Sequence, residues 1–187
     1  MNAMNKAERA ATIKGSQINH PDGKVEMTPD GRVHMMFARE LAHPVARVWQ
    51  AITDPAETPG WFGELTEFEP RVGGAVCYVG GSKDGSGDHS LVCKGVITRF
   101  EAGRVLEFDC SEGVLGFELT PTASGCRLNF WNTLPTGQKR SNSTTAGWHL
   151  MLEYLDGALC GCPVDRETET RDRVIEIYFL YRGEKRS

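Results

Sequence analysis

His149 and Glu153 stand four positions apart in Gly147-Trp148-His149-Leu150-Met151-Leu152-Glu153. In a helix that spacing puts an imidazole and a carboxylate one turn apart, where they can act as an acid/base pair. An exposed ion pair on a helix surface has the same spacing, and it is the simpler reading because both residues flank an apolar stripe. Tyr78, in the run Ala75-Val-Cys-Tyr-Val, is the remaining weak catalytic candidate. No hydrolase nucleophile stands out: Gly85-Ser86-Gly87 lies in a polar tip and does not complete a Gly-x-Ser-x-Gly elbow. The stretch Gly80 to Gly87 has the composition of a phosphate-cradling loop, but no Gly-Lys-Ser/Thr follows it.

Metal chemistry finds little support. His20, His34, His43 and His89 are scattered, and none has another ligand type at metal-binding spacing. Cys77, Cys93, Cys110 and Cys126 are 16, 17 and 16 residues apart, which is the pitch of successive hairpin arms rather than of paired C-x2-C knuckles. Each is expected on its own strand as a small buried hydrophobe. With Cys160 and Cys162 they make six, and a chain of 187 residues without an export signal is expected to keep them reduced. No metal and no cofactor is implied.

Composition narrows the partners. A net charge of -4 and a pI near 5.8, with no long Lys/Arg run, argue against nucleic acid or an anionic membrane. The 40% hydrophobic content suits one domain with a single core. No stretch reaches the roughly 18 apolar residues of a membrane span, and Met1 to Gly15 lacks the apolar centre of a signal peptide, so a cytoplasmic protein is expected.

The elements that must position these residues are mostly strands. Pro29-Asp30-Gly31 is turn chemistry, and Val33, Met35 and Phe37 alternate with polar or smaller neighbours along the arm that follows it. Pro44 opens a short helix carrying Val45, Val48, Trp49 and Ile52, and Thr53-Asp54-Pro55 closes it. A second short helical turn leads to Trp61-Phe62. Strands are expected at 65–70, 75–79, 89–100, 104–110, 114–120 and 126–133, separated by Gly-containing turns and forming an antiparallel meander. Along the last of these, Trp131 faces the side opposite to Phe130. Ser143-Thr-Thr can cap a long helix to about Leu159, with Trp148, Leu152, Leu155 and Leu159 on one stripe and Met151 beside it. Residues 1–23 read as a flexible lead, 24–162 as the domain and 163–187 as a helical extension packed on the domain or on a partner.

A family resemblance emerges from the order of several motifs. Phe37-Ala-Arg-Glu-Leu-Ala-His-Pro-Val-Ala-Arg-Val-Trp-Gln-Ala-Ile-Thr-Asp-Pro, Trp61-Phe-Gly, Arg71-Val-Gly-Gly, Gly95-Val-Ile, Gly125-Cys-Arg-Leu and Gly147-Trp-His-x-x-Leu resemble, in sequence order, homologues of the C-terminal domain of the heat-shock protein 90 ATPase activator. That family sits in the START/birch-pollen-allergen/polyketide-cyclase superfamily. The resemblance implies an α+β helix-grip fold: a curved antiparallel sheet wrapped around a long C-terminal helix, with two short helices after the first strand. Gly74-Ala-Val departs from the family's usual Gly-Gly-x-Phe pattern.

This superfamily hosts carriers, receptors, cyclases and co-chaperone modules, so function has to come from the site. Trp49, Trp61, Phe62, Tyr78, Trp131, Trp148, Met151, Leu152 and Leu155 are expected to line a cavity between sheet and long helix. There the indole N-H and tyrosine hydroxyl groups can orient a polar atom of a ligand. The first reading is a non-enzymatic binder of a small hydrophobic molecule, of lipid, steroid or polyketide size. A co-chaperone-like interaction module, with a chaperone or a second copy as partner, is one alternative. A cyclase or dehydratase is the other.

Overall fold

The computed structural model describes residues 23–80, 91–137 and 142–161. Expectations about the N-terminal lead, the Gly80–Gly87 tip, Cys162 and the segment 163–187 fall wholly or mainly outside them.

The described chain folds into eight antiparallel strands and two α-helices. The strands are β1 (Gly23–Met27), β2 (Val33–Leu41), β3 (Glu64–Phe68), β4 (Ala75–Gly80), β5 (Leu91–Glu101), β6 (Val105–Cys110), β7 (Gly113–Thr122) and β8 (Gly125–Thr133). Helix α1 spans Val45–Thr53, and helix α2 spans Asn142–Leu159. The strands form one sheet in the order β1-β2-β8-β7-β6-β5-β4-β3. A meander from β3 to β8 is thus closed at one side by the first hairpin, whose β2 pairs with β8 from His34 opposite Thr133 to Leu41 opposite Cys126. Every strand read from the sequence is present, with ends shifted by only a few residues. This is the expected helix-grip architecture.

The short helical turn expected between α1 and β3 is a single 3-10 turn, Thr58–Gly60, and Pro55 and Pro59 leave no room for a longer ladder. Pro44 caps α1 from outside rather than opening it, and Asp54 leaves it in extended conformation. Arg47 of α1 pairs with Glu57, tying the helix to the turn.

Alternation decides what faces inward. Val33, Met35, Phe37 and Leu41 of β2 and Cys126, Leu128, Phe130 and Asn132 of β8 are buried and share the concave face. Helix α2 lays Trp148, Leu152, Leu155 and Leu159 on that face, all buried, as its stripe predicts. At its last turn Ala158 reaches the 3-10 turn, with its Cβ 3.8 Å from where a side chain at Gly60 would begin. The core therefore lies between sheet and α2, closed at one end by α1. The four strand cysteines sit on β4, β5, β6 and β8 as free thiols. Among the described residues, no helix is long and apolar enough to cross a membrane.

Candidate functional site

A continuous set of aromatic rings fills the space between sheet and α2. Tyr78 of β4, Phe108 of β6, Phe117 of β7 and Phe130 of β8 all occupy inward positions. Phe62 enters from the loop after the 3-10 turn, and Trp148 descends from α2. Ring centroids lie 5.7 Å apart for Tyr78–Phe108, 4.8 Å for Phe62–Tyr78, 5.6 Å for Phe62–Trp148, 4.8 Å for Phe130–Trp148 and 5.1 Å for Phe117–Phe130. Trp61 joins from below, 5.4 Å from Phe62 and edge-on to Phe117 at 6.1 Å. These are the separations of attractive offset and edge-to-face pairs, so the rings form a connected wall. Trp148 at 8% exposure and Phe62 at 5% are its least enclosed members.

The polar atoms of the wall are held by the protein itself. Trp61 Nε1 donates to the Ala51 carbonyl at 2.8 Å, and the Tyr78 hydroxyl donates to the Ile52 carbonyl at 2.9 Å. Both acceptors lie in the last turn of α1, where carbonyls lack helical partners. Burial, with a smaller contribution from Cys93, pushes the Tyr78 phenol far above its ordinary range and keeps its proton in place. Trp148 Nε1 donates to Asn132 Oδ1 at 3.1 Å, and Asn132 Nδ2 donates to the Glu112 carbonyl at 3.0 Å. The sequence suggested that these donors would orient a ligand. Instead they fix the wall, and what it presents is apolar area and ring edges.

Three sequence expectations need correction. Trp131 does not face α2: it follows Phe130 on β8, and strand alternation sends it to the convex face. There its indole lies across Gly116, where a Cβ would be 2.1 Å from the ring, and its Nε1 donates to Glu107 at 3.2 Å. Trp49 packs on Phe100 at 5.9 Å, and Phe100 meets Phe68 at 6.3 Å. That is a separate cluster fastening α1 to the sheet. The His149–Glu153 pair is not on an open helix face, because His149 is only 3% exposed. Its Nε2 is 3.4 Å from Glu153, and its Nδ1 is 3.3 Å from the Arg39 guanidinium, which arrives from the inner face of β2. Trp61, Phe62, Tyr78 and Trp148 lie in the packed wall. Leu152 and Leu155 are buried in the same core, with Met151 partly buried against it.

Arg39, Asn132, Phe108, Phe117 and Phe130 were not singled out from the sequence. Their signal was present: Arg39 continues the inward series Val33, Met35, Phe37, and Asn132 continues Leu128, Phe130. A polar residue at an inward strand position marks a buried partner on the opposing helix. Among the described residues, no three His, Cys, Asp or Glu side chains converge as metal donors.

The family model for activator of Hsp90 ATPase homolog 1-like proteins matches residues 42–159, well over half of the chain and all of the wall. This chain belongs to that family. Similar solved structures share its fold. A conserved protein of unknown function from Enterococcus faecalis is 18% identical, with 86% of this chain and 88% of that one covered and a TM-score of 0.67. CalU16 from Micromonospora echinospora is 20% identical, with 86% and 94% covered and a TM-score of 0.62. An AHSA1-like protein from Aeromonas hydrophila is 21% identical, with 67% and 91% covered and a TM-score of 0.59. At these identities the likeness speaks for the helix-grip fold alone. Comparison with curated proteins finds no match.

Proposed function

We propose that this family member is a non-enzymatic binding protein for a small hydrophobic molecule, taken up between the concave face of the sheet and α2. The reading rests on one observation: the surface joining sheet to helix is a wall of aromatic rings whose hydrogen-bonding atoms are already satisfied, with Phe62 and Trp148 at its rim. Such a surface attracts apolar area at about 25 cal/mol per Å² and offers no polar grip for a hydrophilic substrate. A molecule of lipid, steroid or polyketide size enters by moving the Trp148 ring aside, and edge contacts with Phe62 and Phe130 replace the contacts that Trp148 gives up.

Purified protein should raise the fluorescence of an apolar dye saturably, and a fatty acid, a sterol or a flavonoid should displace it. Absence of saturable binding across the panel overturns the reading. The same preparation added to a chaperone ATPase assay separates this reading from a co-chaperone role, which would stimulate the ATPase without displacing dye.

A further inference from the structure

Two thiols share the concave face beside the wall. Cys110 ends β6, in register with Gly95 of β5 on one side and Gly113 of β7 on the other. Neither partner carries a side chain, so Cys110 has no lateral neighbour on its own face. A Cβ at Gly95 would stand 2.1 Å from the Asp109 carbonyl oxygen and 2.8 Å from the Cys110 Cβ, so β5 runs very close to β6 at this point. Cys93 lies two residues before Gly95 on the same face and directly opposite Tyr78. It is therefore the diagonal neighbour of Cys110. Cys93 is fully buried, whereas Cys110 is partly exposed.

We propose that Cys110 and Cys93 form a peroxide-reactive dithiol that closes into a cross-strand disulfide. The Cys110 thiolate attacks one oxygen of hydrogen peroxide, the O–O bond breaks, and hydroxide leaves as water after taking up a proton. Cys110 is left as a sulfenic acid. The Cys93 sulfur, on losing its proton, attacks the Cys110 sulfur; the S–O bond breaks, and the second hydroxide leaves as water. Two thiols and one peroxide thus give one disulfide and two waters. Diagonal neighbours across an antiparallel pair stand about 7–8 Å apart at Cα, with Cβ atoms closer, and a disulfide takes Cα separations up to about 6.8 Å. Closing the bond takes an approach of β5 and β6 by about that difference at Cα.

The roles follow from environment. The adjoining Cys93 thiol holds Cys110 below its ordinary range despite partial burial, which favours the attacking thiolate. Cys110 in turn, together with burial, pushes Cys93 up, so it waits as the protonated resolving thiol. Cys77 and Cys126 are buried, and Cys160 is exposed beside His43.

The test treats reduced full-length protein with hydrogen peroxide, blocks the remaining thiols, and maps a non-reducing digest by mass spectrometry. The expected product is a Cys93–Cys110 linked peptide, lighter by two hydrogens than the reduced pair and absent after Cys93→Ser or Cys110→Ser. With dimedone present, Cys93→Ser should label at Cys110, and Cys110→Ser should not label at Cys93. Circular dichroism verifies the fold of each variant, and the wild-type digest stands without them. Oxidation confined to Cys160, or Cys110 progressing to sulfinic acid in the wild type with no linked peptide, overturns the proposal.

Discussion

The Trp148 indole nitrogen donates to the Asn132 side-chain oxygen across 3.1 Å, joining the second turn of α2 to the end of β8. The same ring meets Phe130 at 4.8 Å and Phe62 at 5.6 Å. One side chain thereby couples the long helix, strand β8 and the loop after the 3-10 turn. Replacing Trp148 with Phe keeps most of the ring contacts but leaves Asn132 Oδ1 buried without this donor. The expected cost is about 1–3 kcal/mol of stability, read as a lowered midpoint in urea with an unchanged slope.

On the opposite face, Gly116 and Trp131 should be energetically coupled. Gly116→Ala places a methyl group in the Trp131 ring, displacing the indole from Glu107 at an expected cost of about 1–3 kcal/mol. Adding Trp131→Ala to Gly116→Ala should recover much of that overpacking loss in a double-mutant cycle measured by denaturation. Purely additive losses would mean that the ring does not constrain residue 116. Trp131→Ala alone should leave dye binding unchanged, since the ring lies outside the wall.

His34 supplies a pH dependence. Its Nδ1 stands 2.7 Å from Thr133 Oγ1 at the β2–β8 pairing, and partial burial, together with Arg32, lowers its pKa below the ordinary 6.5 despite Glu26 nearby. A histidine with a depressed folded pKa binds its proton more readily when unfolded. Its contribution is therefore intact at neutral pH and falls as pH drops below 6.5 toward the folded value. Thermal midpoints of the wild type and His34→Asn should converge or cross between pH 7.5 and 5.5, with the wild type losing more. Equal losses in the two proteins would count against this assignment.

The fold was legible because periodicity carries it. Alternation along β2 and β8, turn residues at regular pitch and the Trp148–Leu159 stripe each specify an element without reference to the others. The site was legible only where a residue's own element fixed its direction, as for Trp148. Trp131 was misplaced although β8 alternation already opposed it to Phe130: its aromatic character was given more weight than its position. The Arg39–His149 contact joins residues 110 positions apart in sequence. No helical period reports what a strand presents to the helix, so His149 looked exposed. The short turn expected before Trp61-Phe62 is present, and its prolines make it a 3-10 turn.

The central claim is that an apolar molecule displaces the Trp148 ring and packs against Phe62 and Phe130. It is tested most directly by following the indole N-H resonances of Trp49, Trp61, Trp131 and Trp148 by NMR during titration with a medium-chain fatty acid, a sterol or a flavonoid. The Trp148 resonance should shift saturably with at least one of them while that of Trp131 stays fixed. No shift at Trp148 with any of the three, or a shift at Trp131 alone, would contradict the account.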